Sequence, residues 1–183
     1  MNFLETLHKI GSRRALTFFV VLFILTITAL PSIQESSSYS TGSPDMSLFY
    51  TIEELYMMAG SYGEEGRNNY IFMRFTFDLV FPLIYGGSLI SSLSWLYNIE
   101  RLLKWRNQVV LLPFGAVIFD YFENIATSIV MWRYPMRVDF VGFLATVFTP
   151  VKWGLLSSAF VLLVPGLIIR ISRARLDCFK RYG

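Results

Sequence analysis

The sequence predicts an all-α integral membrane protein: a four-helix bundle with kinked helices and a short helix on its outer surface. Two observations carry this prediction. The chain of 183 residues is 54% hydrophobic and only 16% charged, whereas a soluble domain carries about 25% charged residues. Charged residues are scarce mainly in four long apolar runs. About 20 apolar residues suffice for a helix to cross a bilayer. The length predicts one membrane domain, residues 1–183.

The first predicted span covers residues 15–32 and follows Arg13 and Arg14. A basic start followed by an apolar stretch is also typical of a signal peptide, and we interpret this one as an uncleaved anchor. The outer loop, residues 33–69, begins with a flexible polar part. Its second part has apolar residues at helical spacing, which predicts a short surface helix capped by Ser47. That helix could shield an opening between the spans or could merely pack on the loops.

The remaining predicted spans cover residues 70–97, 109–132 and 140–169. Proline removes a backbone hydrogen bond from a helix, and glycine pairs weaken it, so both predict kinks or local unwinding. Such residues are Pro82, Gly86 and Gly87 in the second span and Pro150 and Pro165 in the fourth.

Lysine and arginine are unevenly distributed between the two sides of the predicted spans. Eleven of the 16 lie in the N-terminus, in the loop between spans two and three, and in the C-terminal tail. Only Arg67, Arg133 and Arg137 lie on the opposite side. Cytoplasmic loops are enriched in these residues, so both termini are predicted to be cytoplasmic. The membrane could be a bacterial inner membrane or the endoplasmic reticulum.

Several classes of site are excluded by composition. The single cysteine, Cys178, allows neither an intramolecular disulfide nor a C-x-x-C zinc or redox site. The single histidine, His8, has no thiolate partner and is a poor metal ligand by itself. We therefore predict no metal site and no cofactor. The basic residues lie next to the spans, which argues against a nucleic-acid partner.

Five ionisable residues fall inside the predicted spans, and each costs roughly 2.5 to 3.5 kcal/mol at a span centre. They are Arg74 and Asp78 in span two, Asp120 and Glu123 in span three, and Lys152 in span four. Such residues face the bundle interior and pair with one another. Counting residues inward from the outer end of each span places Asp78 at the same membrane depth as Glu123, and Asp120 at the same depth as Lys152. Arg74 and Asp78 are spaced i, i+4, which predicts an ion pair.

The third span carries a polar stripe formed by Asp120, Glu123, Asn124 and Thr127, which recur at helical spacing. These residues and their neighbours define a candidate site. The predicted catalytic residues are Asp78, Asp120 and Glu123. The predicted ligand-binding residues are Arg74, Asn124, Thr127, Lys152 and Trp153. The alternative is that the charges only hold the helices together, since buried ion pairs can specify packing without chemistry.

Two segments resemble the EXPERA-domain family, which includes the emopamil-binding sterol isomerase. FTFDLVFPLIYG in span two is similar to the family's run of acidic, aromatic and proline residues, and FTPVKWG in span four resembles its last helix. The first span lacks an acidic residue, and the D-x-x-E-N motif of span three has no counterpart in that pattern. The resemblance implies a membrane-embedded cavity for a sterol-like or other hydrophobic ligand, with Asp78 as the acidic ligand residue.

The leading functional hypothesis is a pocket that binds a membrane lipid or a hydrophobic small molecule of sterol or isoprenoid type. A buried carboxylic acid could protonate an alkene, and Trp153, Phe119 or Phe122 could stabilise a carbocation, as in an acid-catalysed isomerase or cyclase. Acidic and basic residues at matched depth also suit a proton-linked transporter or channel subunit, which would require a homo-oligomer. A third hypothesis is an accessory subunit of a membrane complex.

Overall fold

The computed structural model describes residues 12–35, 43–44, 47–97 and 108–182. Within these ranges the chain forms α-helices and no strand, which confirms the all-α class for the described part. The helices are α1 (Arg13–Glu35), α2 (Ile52–Ser61), α3 (Gly63–Phe75), α4 (Phe77–Tyr97), α5 (Leu111–Arg133) and α6 (Asp139–Tyr182).

Three helical stretches of the described part are long and apolar enough to cross a membrane. They are Gly63–Tyr97, which comprises α3 and α4, then α5, and the part of α6 from Asp139 to Ser172. These stretches coincide with the second, third and fourth predicted spans. The first predicted span forms α1, which packs against α4. That α1 is a fourth span stays a prediction.

Some sequence-based expectations fall on residues outside the described ranges. These are His8, most of the polar part of the outer loop, and the basic residues Arg101, Lys104 and Arg106 of the loop between spans two and three. The side chain of Cys178 is also outside the description. The orientation of the termini, which depends on these basic residues, stays a prediction.

The second predicted span is interrupted at Thr76, between α3 and α4. The backbone of Thr76 leaves the helical region, with φ −117° and ψ −81°, and its hydroxyl donates to the carbonyl oxygen of Phe72 at 2.7 Å. In contrast, α4 is helical throughout, including at Pro82 and Gly86. The chain is therefore not unwound there, whereas kinks at the prolines stay predictions.

The glycine pair of α4 allows close approach of two neighbouring helices. A Cβ at Gly86 would lie 2.4 Å from a methyl group of Val117 on α5, and one at Gly87 would lie 2.4 Å from the ring of Phe19 on α1. Non-bonded carbon atoms pack at about 3.5 to 4.0 Å. The pair therefore serves packing on both sides of α4.

The predicted surface helix is present as α2, but its cap differs from the expected one. Thr51, not Ser47, is the N-cap residue, and it forms a capping box with Glu54 in which each side chain bonds the other residue's backbone N–H. The prediction of Ser47 was wrong because the reciprocal pair needs a Glu or Gln three residues after the cap. The Tyr56 hydroxyl accepts the Val138 N–H, so α2 is fastened to the connection between α5 and α6.

That connection also carries a charged contact. The Arg137 guanidinium donates to a carboxylate oxygen of Asp139 at 2.8 Å. This hydrogen bond raises the pKa of Arg137, which therefore stays positively charged at any accessible pH. The positive charge lies at the same end of the bundle as α2.

Candidate functional site

A buried ion pair between α5 and α6 lies at the centre of the candidate site. The Glu123 side chain is 0% exposed, and its Oε2 contacts the ammonium of Lys152. The same ammonium lies 3.6 Å from Asp120 Oδ1. Asp120 and Lys152, which the sequence placed at matched depth, are therefore in contact, and the lysine lies between the two carboxylates.

A second ion pair bridges the interruption between α3 and α4. Arg74, in the last turn of α3, lies 2.7 Å from Asp78 in the first turn of α4. This confirms the predicted i, i+4 pair. Arg74 also donates to Oδ1 of Asn124 on α5 at 3.4 Å, and its guanidinium lies 4.5 Å from the centre of the Tyr70 ring. The arginine thus joins the second pair to the polar stripe of α5.

Three hydroxyl groups complete the network, and the sequence analysis did not identify any of them. Tyr85 on α4 donates to Asp120 Oδ2 at 2.8 Å. Thr149 on α6 donates to Glu123 Oε1 at 2.5 Å. The Tyr50 hydroxyl lies 3.0 Å from Thr149 Oγ1. Thr149 precedes Lys152 by three residues, so helical spacing was the signal that could have found it.

The predicted ligand-binding residues have different environments. The Thr127 hydroxyl is buried and donates to the backbone oxygen of Glu123 at 2.8 Å, within its own helix. The Trp153 ring centre lies 5.5 Å from the Lys152 ammonium. Within the described part of the chain, the indole N–H of Trp153 and the amide nitrogen of Asn124 have no hydrogen-bond partner.

The predicted aromatic residues of α5 pack mainly with each other and with α6. Phe119 and Phe122 each contact the ring of Phe148, at centroid distances of 5.9 and 5.5 Å. Phe122 is nevertheless an exposed side chain. Of the aromatic residues expected around the charges, Trp153 is the one in contact with the Lys152 ammonium.

Exposure differs across the network. The side chains of Asp78, Asp120 and Arg74 are 17%, 13% and 11% exposed, while Glu123 is fully buried. Two carboxylates and one guanidinium are therefore the more exposed members of the cluster, while the Glu123–Lys152 pair is buried. Three acidic and two basic side chains leave the cluster with an excess of negative charge if all are ionised.

No group of three or more histidine, cysteine, aspartate or glutamate side chains in the described part of the chain is arranged to hold a metal ion. The arrangement is instead suited to hydrogen bonding and ion pairing. Polar groups taken out of water are stable only when they are paired, and the contacts above provide such pairing for each of the five charged residues.

Compared with protein-family models, with curated proteins and with solved structures, the chain gives no match. The resemblance of spans two and four to the EXPERA-domain family therefore stays a prediction.

Proposed function

We propose that this is a multi-pass membrane protein with four spans, whose polar cluster binds the head group of a lipid-like molecule such as a sterol, an isoprenoid or a hydrophobic amine. The observation that carries the proposal is the partial exposure of Arg74, Asp78 and Asp120 beside apolar helices. The head group would contact these side chains, and the apolar body would lie against the neighbouring helices.

Charge and hydrogen-bonding capacity narrow the chemistry of the head group. The excess of acidic side chains favours a cationic group or a hydroxyl that donates to a carboxylate. The amide nitrogen of Asn124 favours the hydroxyl, which can also accept a hydrogen bond, because this nitrogen has no partner among the described residues and belongs to a side chain only 4% exposed. An unsatisfied buried donor costs about 1 to 3 kcal/mol, and a ligand oxygen that accepts from it would remove that cost.

Acid-catalysed isomerisation or cyclisation is the reaction class that such a cluster could perform on a bound alkene. Asp78, Asp120 or Glu123 would supply the proton, and Trp153 would stabilise a carbocation through its ring face. The resemblance to EXPERA-domain proteins supports this direction and suggests Asp78 as the ligand-binding acid. The proposal requires only that the cluster binds the lipid-like ligand. Catalysis on that ligand is a separate step that binding does not require.

The proposal is tested by native mass spectrometry and thermal unfolding of the purified protein with a panel of sterols, terpenoids and hydrophobic amines. A ligand present at about 100 times its Kd stabilises the folded state by about 2.7 kcal/mol. Asp78→Asn and Asn124→Leu should lose this stabilisation. Asp139→Asn, an exposed acidic residue outside the cluster, should retain it.

Two results would contradict the proposal. One is the absence of any bound lipid from the wild-type protein together with no stabilisation by any member of the panel. The other is equal stabilisation of the Asp78→Asn variant and the wild-type protein. Acidification of protein-containing liposomes without any ligand would support the transporter hypothesis instead.

A further inference from the structure

Two hydroxyl groups connect the buried Glu123 carboxylate to the end of the bundle that carries α2. Thr149 Oγ1 is 2.5 Å from Glu123 Oε1 and 3.0 Å from the Tyr50 hydroxyl. Thr149 Oγ1 also lies 3.0 Å from the backbone oxygen of Ala145, but the carboxylate contact is shorter. The chain Tyr50–Thr149–Glu123 is thus a continuous series of hydrogen-bonding oxygen atoms.

Tyr50, the residue at the far end of this series, lines a cavity of about 330 Å³ beside α2. The cavity is lined by Ser47, Phe49, Tyr50, Glu54, Met57 and Met58. It is far larger than the roughly 30 Å³ that one water molecule occupies in the liquid, and its lining includes hydroxyl and carboxylate groups. Phe49 and Met57 at its edge are exposed. Tyr50 lines this cavity although only 7% of its surface is exposed, so cavity water can contact its side chain, while Glu123 itself has no exposed surface.

We propose that Tyr50 and Thr149 conduct protons between water in this cavity and Glu123. Hydroxyl hydrogens can rotate, and transfer requires the orientation in which Thr149 donates to Glu123 and Tyr50 donates to Thr149. A hydronium ion then gives a proton to the Tyr50 oxygen, the Tyr50 hydroxyl proton passes to Thr149, and the Thr149 hydroxyl proton passes to the Glu123 carboxylate. The net change converts hydronium and carboxylate into water and carboxylic acid, and both hydroxyls are regenerated. The reverse sequence releases the proton.

A second approach to Glu123, through Asp120 and Lys152, is less suitable for proton transfer. In the described part of the chain, titratable groups close to Glu123 include Lys152 on α6, which contacts it, Asp120 on its own helix, and Tyr85 on α4, while Tyr50 is linked to it through Thr149. The Lys152 ammonium contacts both the partly exposed Asp120 and Glu123, so it links these two carboxylates. An ammonium group has no lone pair, so it must lose a proton before it can accept one. The route through the Tyr50 and Thr149 hydroxyls does not require any group to lose a proton before it can accept one.

This inference concerns how the cluster exchanges protons, and it holds whether or not a lipid-like ligand binds. The test is rapid-mixing infrared spectroscopy of the reconstituted protein after a drop in pH, without any ligand. The carboxylic acid band of Glu123 is assigned as the band that is absent from the Glu123→Gln variant. Its rate of appearance is then compared among variants.

Tyr50→Phe removes one hydroxyl and leaves the ring, so we expect the band to appear at least about tenfold more slowly, because proton transfer requires hydrogen-bond contact. Tyr121→Phe is the matched control: its hydroxyl donates to the Leu79 backbone oxygen and lies outside the series. It should leave the rate unchanged.

Thr149→Ser and Thr149→Val form a second, independent comparison. The serine keeps the hydroxyl and should keep the rate, whereas the valine should slow it. Equal rates in the wild-type protein and the Tyr50→Phe variant, or in the serine and valine variants, would overturn the proposal. A Glu123 band that does not respond to pH in the wild-type protein would overturn it as well.

Discussion

Replacing Lys152 with methionine should destabilise the fold by about 3 to 5 kcal/mol, the usual cost of removing one member of a buried ion pair. Methionine keeps most of the apolar length but removes the ammonium that contacts Glu123 and lies 3.6 Å from Asp120. The Glu123 side chain is 0% exposed, so water cannot replace the lost charge. The upper part of the range is expected because the ammonium faces two carboxylates.

The measurement is reversible unfolding in mixed micelles as the fraction of denaturing detergent increases. The double variant Lys152→Met, Glu123→Gln should recover most of the lost stability, because the neutral amide no longer needs a counter-charge. Arg137→Met is the control, since this arginine is half exposed and contacts Asp139 in water. A loss of less than about 1 kcal/mol for Lys152→Met, as for a surface ion pair, would refute the reasoning.

Three further substitutions test other contacts by the same unfolding measurement. Gly86→Ala should cost about 1 to 3 kcal/mol because the new methyl group overlaps a valine of α5, whereas Gly154→Ala, which meets nothing within 4 Å, should cost nothing. Thr51→Ala removes the α2 cap and should cost about 1 kcal/mol, with faster amide hydrogen exchange confined to α2. Tyr85→Phe removes the hydrogen bond to Asp120 and should cost about 1.5 to 3 kcal/mol; no loss would mean that this bond is not made.

The positions of the apolar helices could be predicted because they depend mainly on composition, but their ends were less accurate: the second apolar stretch begins at Gly63 rather than at 70, and α6 continues to Tyr182 rather than ending at 169. The third predicted span, residues 109–132, differs from Leu111–Arg133 by two residues at one end and one at the other. The interruption at Thr76 was not predictable in the same way. Nothing in its neighbourhood resembles a helix breaker, since residues 70–81 contain neither proline nor glycine.

The charged members of the cluster could be identified from the sequence because burial makes them costly, so their presence needs a reason. The hydroxyl members carry no such cost and were not identified. Tyr85 and Thr149 lie in apolar helices where such residues are common, and a threonine can satisfy its hydroxyl with its own helix. Tyr50 lies outside every predicted span, so neither depth nor helical spacing relates it to Glu123.

The connection between α5 and α6 explains why counting residues located the pairs as well as it did. Two helices joined by a short connection pack antiparallel, so residues equally distant from its middle lie side by side. Glu123 and Thr149 are each 13 residues from Met136, and Asp120 and Lys152 are each 16 residues from it. Both pairs are in contact. Counting from the apolar boundaries gives the same pairing, because Glu123 is nine residues before the predicted span end at 132 and Thr149 is nine residues after the predicted span start at 140. Thr149 was missed because only charged residues were counted, whereas the length of the connection determines which residues of the two helices can meet, whatever their charge.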